Sequence, residues 1–464
     1  MLRFFLFSAF DSLDGADAAA LFDTAPVGTT LNAKTELSRA FPAATLVVVP
    51  FSELVDTLRS GEVDYAVRGY LSSFQEDASA LEASGALNST VFAYEITPEG
   101  EVRSVDPAAL LPDAPSLGPD VLVGTDGDDI LHASHGWDTL YGMAGDDILF
   151  GEQNSDVLWG GDGNDKLRGG ALDDRLIGGP GNDVLDGGIK IDVADYSSHG
   201  SVTVDLAITS YQQTGVGWDK LVRIENVIGG SEASRLFGDE GRNVLTGGAG
   251  NDALYGRGWS DELIGGEGDD LLSGGRGGDY LIGGEGNDTL RGGVDNDTLI
   301  DREHPWIPIT SDDRLFGNRG DDFLDAGYGN DWLSGGKGDD DLRGDRGDDV
   351  LRGNGGNDRL YAGMGDDILM GGRGNDRLYG NFGKQTMTGG KGVDEFLFYS
   401  SIGHNVITDF RPGIETIWIS EKYRDLIIEG DVDTIIRVDN DTEFSITLLG
   451  VSPDDLSRSD FFFM

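Results

Sequence analysis

Aspartate stands at the sixth place of a nine-residue unit twenty-three times between Gly124 and Phe398. Residues 265–291 show the unit plainly, as GGEGDDLLS, GGRGGDYLI and GGEGNDTLR. Glycine holds places 1, 2 and 4, aspartate place 6 and leucine place 8. A short carboxylate repeated at a fixed interval is a regular supply of hard oxygen donors. Glycine lets the chain turn through conformations that a Cβ forbids, so that successive carbonyls can point at one centre. Calcium asks for such a donor set, since it takes about six to eight oxygens from carboxylates and backbone carbonyls.

The unit runs in three phases. The first starts at Gly124 and carries Asp129, Asp138, Asp147, Asp156, Asp165, Asp174, Asp183 and Asp192. The second starts at Gly229 and carries Asp252, Asp261, Asp270, Asp279, Asp288 and Asp297. Its first two units have Ser234 and Asn243 in place of the carboxylate, so its start is expected to be weak in metal. A seven-residue insert, Asp301 to Ile307, shifts the third phase. That phase carries Asp313, Asp322, Asp331, Asp340, Asp349, Asp358, Asp367 and Asp376; Gln385 then breaks it and Asp394 closes it.

Places 7 to 9, with leucine between two more variable residues, predict a brief strand with one apolar side chain turned inward. Loop, strand, loop, strand makes a coil with two nine-residue units per turn. Stacked turns would bury a ladder of leucines and leave the aspartates between successive loops. A flexible, acidic, glycine-rich linker has the same composition, but it has no reason to keep leucine in phase.

These residues resemble the RTX (repeats-in-toxin) family, the haemolysin-type calcium-binding repeats, over more than half of the chain. The resemblance implies a parallel β-roll solenoid that folds on calcium, in bacterial proteins exported by a type I secretion apparatus. It also implies that the place-6 aspartates and neighbouring backbone carbonyls are the ligands. That implication lapses at Ser234, Asn243 and Gln385, where aspartate is missing.

Composition agrees. A formal charge of −50, from 84 acidic and 34 basic residues, excludes nucleic acid as a natural partner. The same charge opposes compaction until a cation is present, and binding energy then becomes folding energy. Calcium at tenfold its dissociation constant adds about 1.4 kcal/mol per independent site. Only deprotonated aspartate binds, so acid near the free aspartate value of about 3.9 is expected to release metal and melt the roll. There is no cysteine, so disulfides are not the staple. No apolar stretch reaches the roughly eighteen residues of a transmembrane segment.

The expected organisation is mainly β. Residues 1–106 read as a small α/β domain, with strands at Leu2 to Phe10, Ala44 to Val49 and Asp64 to Arg68, and an edge strand at Val91 to Ile96. Helices are expected at Asp14 to Phe22, Phe51 to Ser60 and Phe74 to Gly85. Residues 107–119 form a proline-rich linker, 120–192 a first roll, 193–228 a bridging insertion, and 229–398 the second and third blocks. Trp306 in the shorter insert is expected in a packed bulge. Residues 399–464 read as a β-rich C-terminal cap, and their similarity to the tails of exported RTX proteins implies that a secretion signal lies there.

Catalytic signatures are scarce. No histidine or cysteine precedes His132, which excludes Ser-His-Asp and Cys-His arrangements from the N-terminal domain. H-E-x-x-H and G-x-S-x-G are absent from the whole chain. His132 and His135 lie inside the first repeats and read as strand or surface residues. The sequence therefore points to a secreted, extracellular calcium-binding protein with a structural, adhesive or interaction role, meeting a cell-surface or polysaccharide ligand. The alternative is a carboxylate-dependent hydrolase or other enzyme with its activity in residues 1–115, where Asp14, Asp17, Glu53, Asp56, Glu62 and Asp64 supply acids.

Overall fold

The structure, a computed structural model, describes residues 118–301, 311–399, 403–420, 426–438 and 443–463, with the backbone of two short strands before them. Those two, Ala93–Ile96 and Val102–Val105, pair antiparallel, which places a strand where the sequence expects the last one of the N-terminal domain. The other elements expected over residues 2–85, most of the linker, and Trp306 lie outside the described residues.

The chain divides into two compact units. Among the described residues, the first holds those as far as Ala194 together with Val216–Ile224; the second holds Asp195–Gly215 and those from Glu225 onward. Each is built from parallel strands. In the first unit one sheet contains Val121–Val123, Thr139–Ala144, Val157–Asp162 and Arg175–Ile177. Its other sheet contains Ile130–His132, Ile148–Gln153, Lys166–Ala171, Val184–Ile189 and Trp218–Val222. Leu140 lies beside Leu158 and Leu149 beside Leu167, so neighbours in a sheet are two units apart in sequence and each turn holds two units. That is the parallel β-roll solenoid expected from the spacing.

The second unit repeats this plan over a longer stack. Val244–Ala249, Glu262–Glu267 and Tyr280–Glu285 follow one another in one sheet, and Ala253–Gly258, Leu271–Arg276 and Thr289–Val294 in the other. The insert lengthens one turn without breaking the stack, because Leu290 pairs with Leu315 and Leu299 with Leu324. Among the described residues there is no α-helix, only two short 3-10 turns at Pro453–Asp455 and Arg458–Asp460.

Leucine is the reason the turns stack. From Leu140 to Leu378 the ladder leucines of both units are at most 1% exposed, except Leu221 at 5%. Each such burial is worth about 1.5–3 kcal/mol. The strands run longer than places 7 to 9, however. Leu271–Arg276 covers places 7 to 9 of one unit and 1 to 3 of the next, with Leu272 and Gly274 both facing inward. Glycine at place 1 is thus an interior residue, which the sequence reading assigned only to the turn. Past Phe398 the stack ends in a β-rich cap. Gly403–Ile407 continues in parallel from Thr386–Lys391, and Phe444–Leu448, Thr434–Val438 and Leu426–Glu429 then form a meander whose last two pairings are antiparallel.

The segment read as one bridging insertion is shared between the units. Val216–Ile224 supplies a strand to the first unit, while Thr203–Asp205 pairs with Arg235–Phe237 in the second.

Candidate metal centres

Each place-6 aspartate sits at the end of a turn, just before a strand, with its side chain directed inward. From Asp138 to Asp394 these aspartates are no more than 3% exposed. One carboxylate oxygen is a staple between turns. Oδ1 of Asp156 accepts the Asp138 N–H at 2.8 Å, and Oδ1 of Asp174 accepts that of Asp156 at 2.8 Å. In the second unit the same bond joins Asp252 to Asp270, Asp270 to Asp288, Asp331 to Asp349 and Asp340 to Asp358, at 2.7–2.9 Å. Sequence reasoning gave these carboxylates to metal alone and missed this structural half of their work.

The other oxygen is different. Oδ2 is fully buried and has no hydrogen-bond partner at nineteen of the twenty-three positions, Asp138 to Asp183, Asp252 to Asp297 and Asp322 to Asp376. A buried carboxylate oxygen left without a partner is costly, and native folds seldom tolerate one, let alone a row. A place-1 glycine and a carbonyl of the next turn crowd against it. A Cβ on Gly353 would meet Oδ2 of Asp358 at 2.1 Å and the Gly371 carbonyl oxygen at 2.7 Å. On Gly344 it would meet Oδ2 of Asp349 at 2.2 Å and the Ala362 carbonyl oxygen at 2.7 Å. Carboxylate and carbonyl oxygens therefore converge beside these place-1 glycines. That donor set fits a hard divalent cation of the calcium kind.

Burial also moves the acids. Desolvation pushes Asp174, Asp183, Asp331 and Asp340 up to about 8, while the stapling N–H lowers each and neighbouring carboxylates raise it further. Asp156, Asp261, Asp270 and Asp376 are pushed up to about 7 for the same first reason. A cation placed among them supplies the opposite charge that the fold otherwise lacks.

Hydrogen bonding and a side-chain cation account for the ends of the row. Oδ2 of Asp129 accepts from the Thr125 N–H and hydroxyl, at 2.6 and 2.8 Å. At the end of the stack Arg411 extends its guanidinium to Oδ2 of Asp394 at 3.5 Å and to the Gly392 carbonyl at 2.5 Å, and it pairs with Glu415. A side-chain cation thus stands beside the last aspartate. The three defective places are filled by neutral hydrogen bonding. Ser234 accepts from the Gly230 N–H and donates to the Glu232 carbonyl. Asn243 accepts from the Asp239 N–H and donates to the Glu225 carbonyl. Gln385 donates to the Gly365 and Phe382 carbonyls. None of the three leaves an orphaned oxygen, in keeping with weak metal binding there.

Three sets of residues escaped the sequence reading. Asp120 donates its N–H to Oδ1 of Asp138 at 2.7 Å, so the phase begins one unit before Gly124. Asp219 accepts the Asp183 N–H at 3.0 Å, and Gly217, Asp219 and Leu221 repeat places 4, 6 and 8 inside the supposed bridge. Both were legible from the G-x-D-x-L spacing. An outer ladder also runs along place 5, where Asp146 donates its N–H to Oδ1 of Asp128 and accepts that of Asn164, at 2.9 and 2.8 Å. Its signal was the Asp or Asn that stands before most place-6 aspartates. His132 stacks on Phe150 with ring centroids 4.2 Å apart, as a strand residue.

A parallel β-roll with a buried, regularly stapled row of aspartates defines a calcium-binding repeat protein. The family described as RTX calcium-binding nonapeptide repeat (4 copies) matches residues 116–149, 141–175, 168–189, 228–258, 264–299, 310–342, 334–369 and 361–396, and the chain is a repeat protein of the RTX type. No match is found among curated proteins. Among solved structures, the crystal structure of extracellular lipase LipA from Serratia marcescens is similar at 19% identity with a TM-score of 0.16. The match covers 53% of this chain and 44% of that one. No helix among the described residues is long and apolar enough to cross a membrane.

Proposed function

We propose that this chain is a secreted bacterial protein whose rolls fold on extracellular calcium, and whose role is structural, adhesive or interactive. The observation that carries this reading is the buried row of Oδ2 atoms without hydrogen-bond partners. Inside a cell, where calcium is scarce, such a row keeps the repeats from closing. Outside, where calcium modules work at roughly 10⁻⁴ to 10⁻³ M affinity, occupancy offsets the repulsion. Calcium would sit between turns, held by Oδ2 of the place-6 aspartates and by place-1 carbonyls. It neutralises the carboxylates when bound, while the protein's own residues fix the turns through Oδ1 and the leucine ladder.

An unfolded chain is also what a type I secretion apparatus transports, and the tail over residues 399–464 is the segment we assign to its recognition. Co-expression with such an apparatus tests this assignment. The full chain should accumulate in the medium, and deletion of residues 399–464 should lower the exported amount at least about tenfold. Equal export of both forms would contradict it. Whether the partner outside is a cell surface or a polysaccharide is then a matter for binding assays on the exported, calcium-loaded chain.

A further inference from the structure

One turn departs from the repeat in a way that adds a ligand. Ordinarily the place-1 residue is glycine, and its carbonyl faces the place-1 glycine one turn before; a Cβ on Gly265 would come 2.6 Å from the Gly283 carbonyl oxygen. One turn beyond Gly283 that position is occupied by Asp301, at the start of the insert. Its backbone stays in the ladder, donating its N–H to the Asp325 carbonyl at 2.8 Å. Its carboxylate turns inward, 1% exposed, and Oδ1 accepts the Gly284 N–H at 3.1 Å.

The result is a convergence of acids. A Cβ on Gly283 would meet Oδ2 of Asp288 at 2.5 Å and Oδ2 and Oδ1 of Asp301 at 2.6 and 2.7 Å. Asp288, Asp301 and Asp313 each bring an oxygen within 4.8 Å of the others, and all three are buried. Oδ2 of Asp288 and Oδ2 of Asp301 have no hydrogen-bond partner, while Oδ2 of Asp313 accepts the Ser311 hydroxyl at 2.8 Å. Asp301 and Asp313 bring carboxylates close together, and two such groups repel when both are ionised unless a cation stands between them. Asp301 lies outside the family match, which stops at residue 299 and resumes at 310.

We propose that Asp288, Asp301 and Asp313 form a distinct divalent-cation site, richer in carboxylates than the repeat sites and filled before them. Calcium affinity rises with the number of charged ligands and with their rigidity. Here a carboxylate is added where the ordinary site has glycine. The larger, flexibly coordinated calcium suits three converging carboxylates better than magnesium, which keeps much of its water. A tight site in the middle of the second unit gives its turns a place to begin stacking, since each turn of a solenoid depends on its neighbours. The inference rests on the reading that the repeats bind calcium.

Calcium titration by calorimetry of the full chain, Asp301→Gly and Asp301→Asn tests it. Asp301→Gly restores the residue that the repeat prefers, so it should still reach full β content at saturating calcium. The unaltered chain should bind one ion at least about tenfold more tightly than the rest, and both variants should lose that tight class while keeping the remaining sites. Should Asp301→Gly fail to fold, Asp301→Asn gives the same readout with the shape kept. A tight class that survives in Asp301→Asn, or that is missing from the unaltered chain, would overturn the inference. Absence of all calcium binding would overturn the repeat reading as well.

Discussion

Without calcium the chain should gain β structure as the pH falls from 8 to 5, the reverse of ordinary acid unfolding. The place-6 aspartates have an unfolded value of about 3.9, and burial raises them in the fold, several to about 7 or 8. Between those values the folded state holds more protons than the unfolded state. Stability of the metal-free fold is therefore fully present below the unfolded value and is lost as pH rises through the folded ones. With so many acids shifted alike, the change should run from a largely unfolded chain at pH 8 to a compact one at pH 5. Calcium-loaded protein should show the opposite slope in affinity, because protons and calcium compete for the same Oδ2 atoms. The sequence-based expectation of simple melting in acid thus applies to metal release, while protonation of the buried acids lets the metal-free roll stay closed afterwards. Far-UV circular dichroism in chelator across this range is the check, with light scattering alongside because the sequence pI is near 4.1. Falling β content between pH 8 and 5 would contradict the shifted acids.

The second large effect concerns two glycines two residues apart. Gly353→Ala should raise the calcium needed for folding and lower the melting temperature, whereas Gly355→Ala should be nearly silent. A Cβ on Gly353 would strike Oδ2 of Asp358 at 2.1 Å and the Gly371 carbonyl oxygen at 2.7 Å, pushing aside both oxygens proposed to hold the metal. A Cβ on Gly355 would find only the Gly336 carbonyl oxygen, at an ordinary 3.8 Å. Overpacking of this kind costs on the order of 1–3 kcal/mol before any loss of metal. The damage should spread to adjacent turns, since each turn is supported by its neighbours. Equal calcium midpoints for the two variants would show that place-1 glycines do not line the site.

Much of this was legible in the residues themselves. Leucine every ninth place fixed the size of the turn, and the matching aspartates fixed where the ligands stand. The division of labour within each carboxylate was not legible, because nothing in spacing says that Oδ1 of Asp156 reaches the N–H of Asp138. Asp219 was overlooked because its unit lacks the doubled glycine, although Gly217 and Leu221 flank it in phase. Asp301 was overlooked because it stands off the sixth place, and only the stacking of turns carries it to Asp288 and Asp313. Arg411 is the same kind of case, a cation brought to Asp394 by the cap rather than by the repeat. Periodicity shows what recurs, and these residues matter because they do not.

The most direct test of the account is a calcium titration of the full chain at pH 7.5, followed together by far-UV circular dichroism and by direct counting of bound ions. Little β structure is expected in chelator, then a cooperative rise to a β-rich state in the millimolar range of calcium or below, with many ions bound per chain. Magnesium at the same concentration should not replace it. Equal β content with and without calcium at that pH, or folding with no ion bound, would contradict the claim that the buried aspartate row is held by metal.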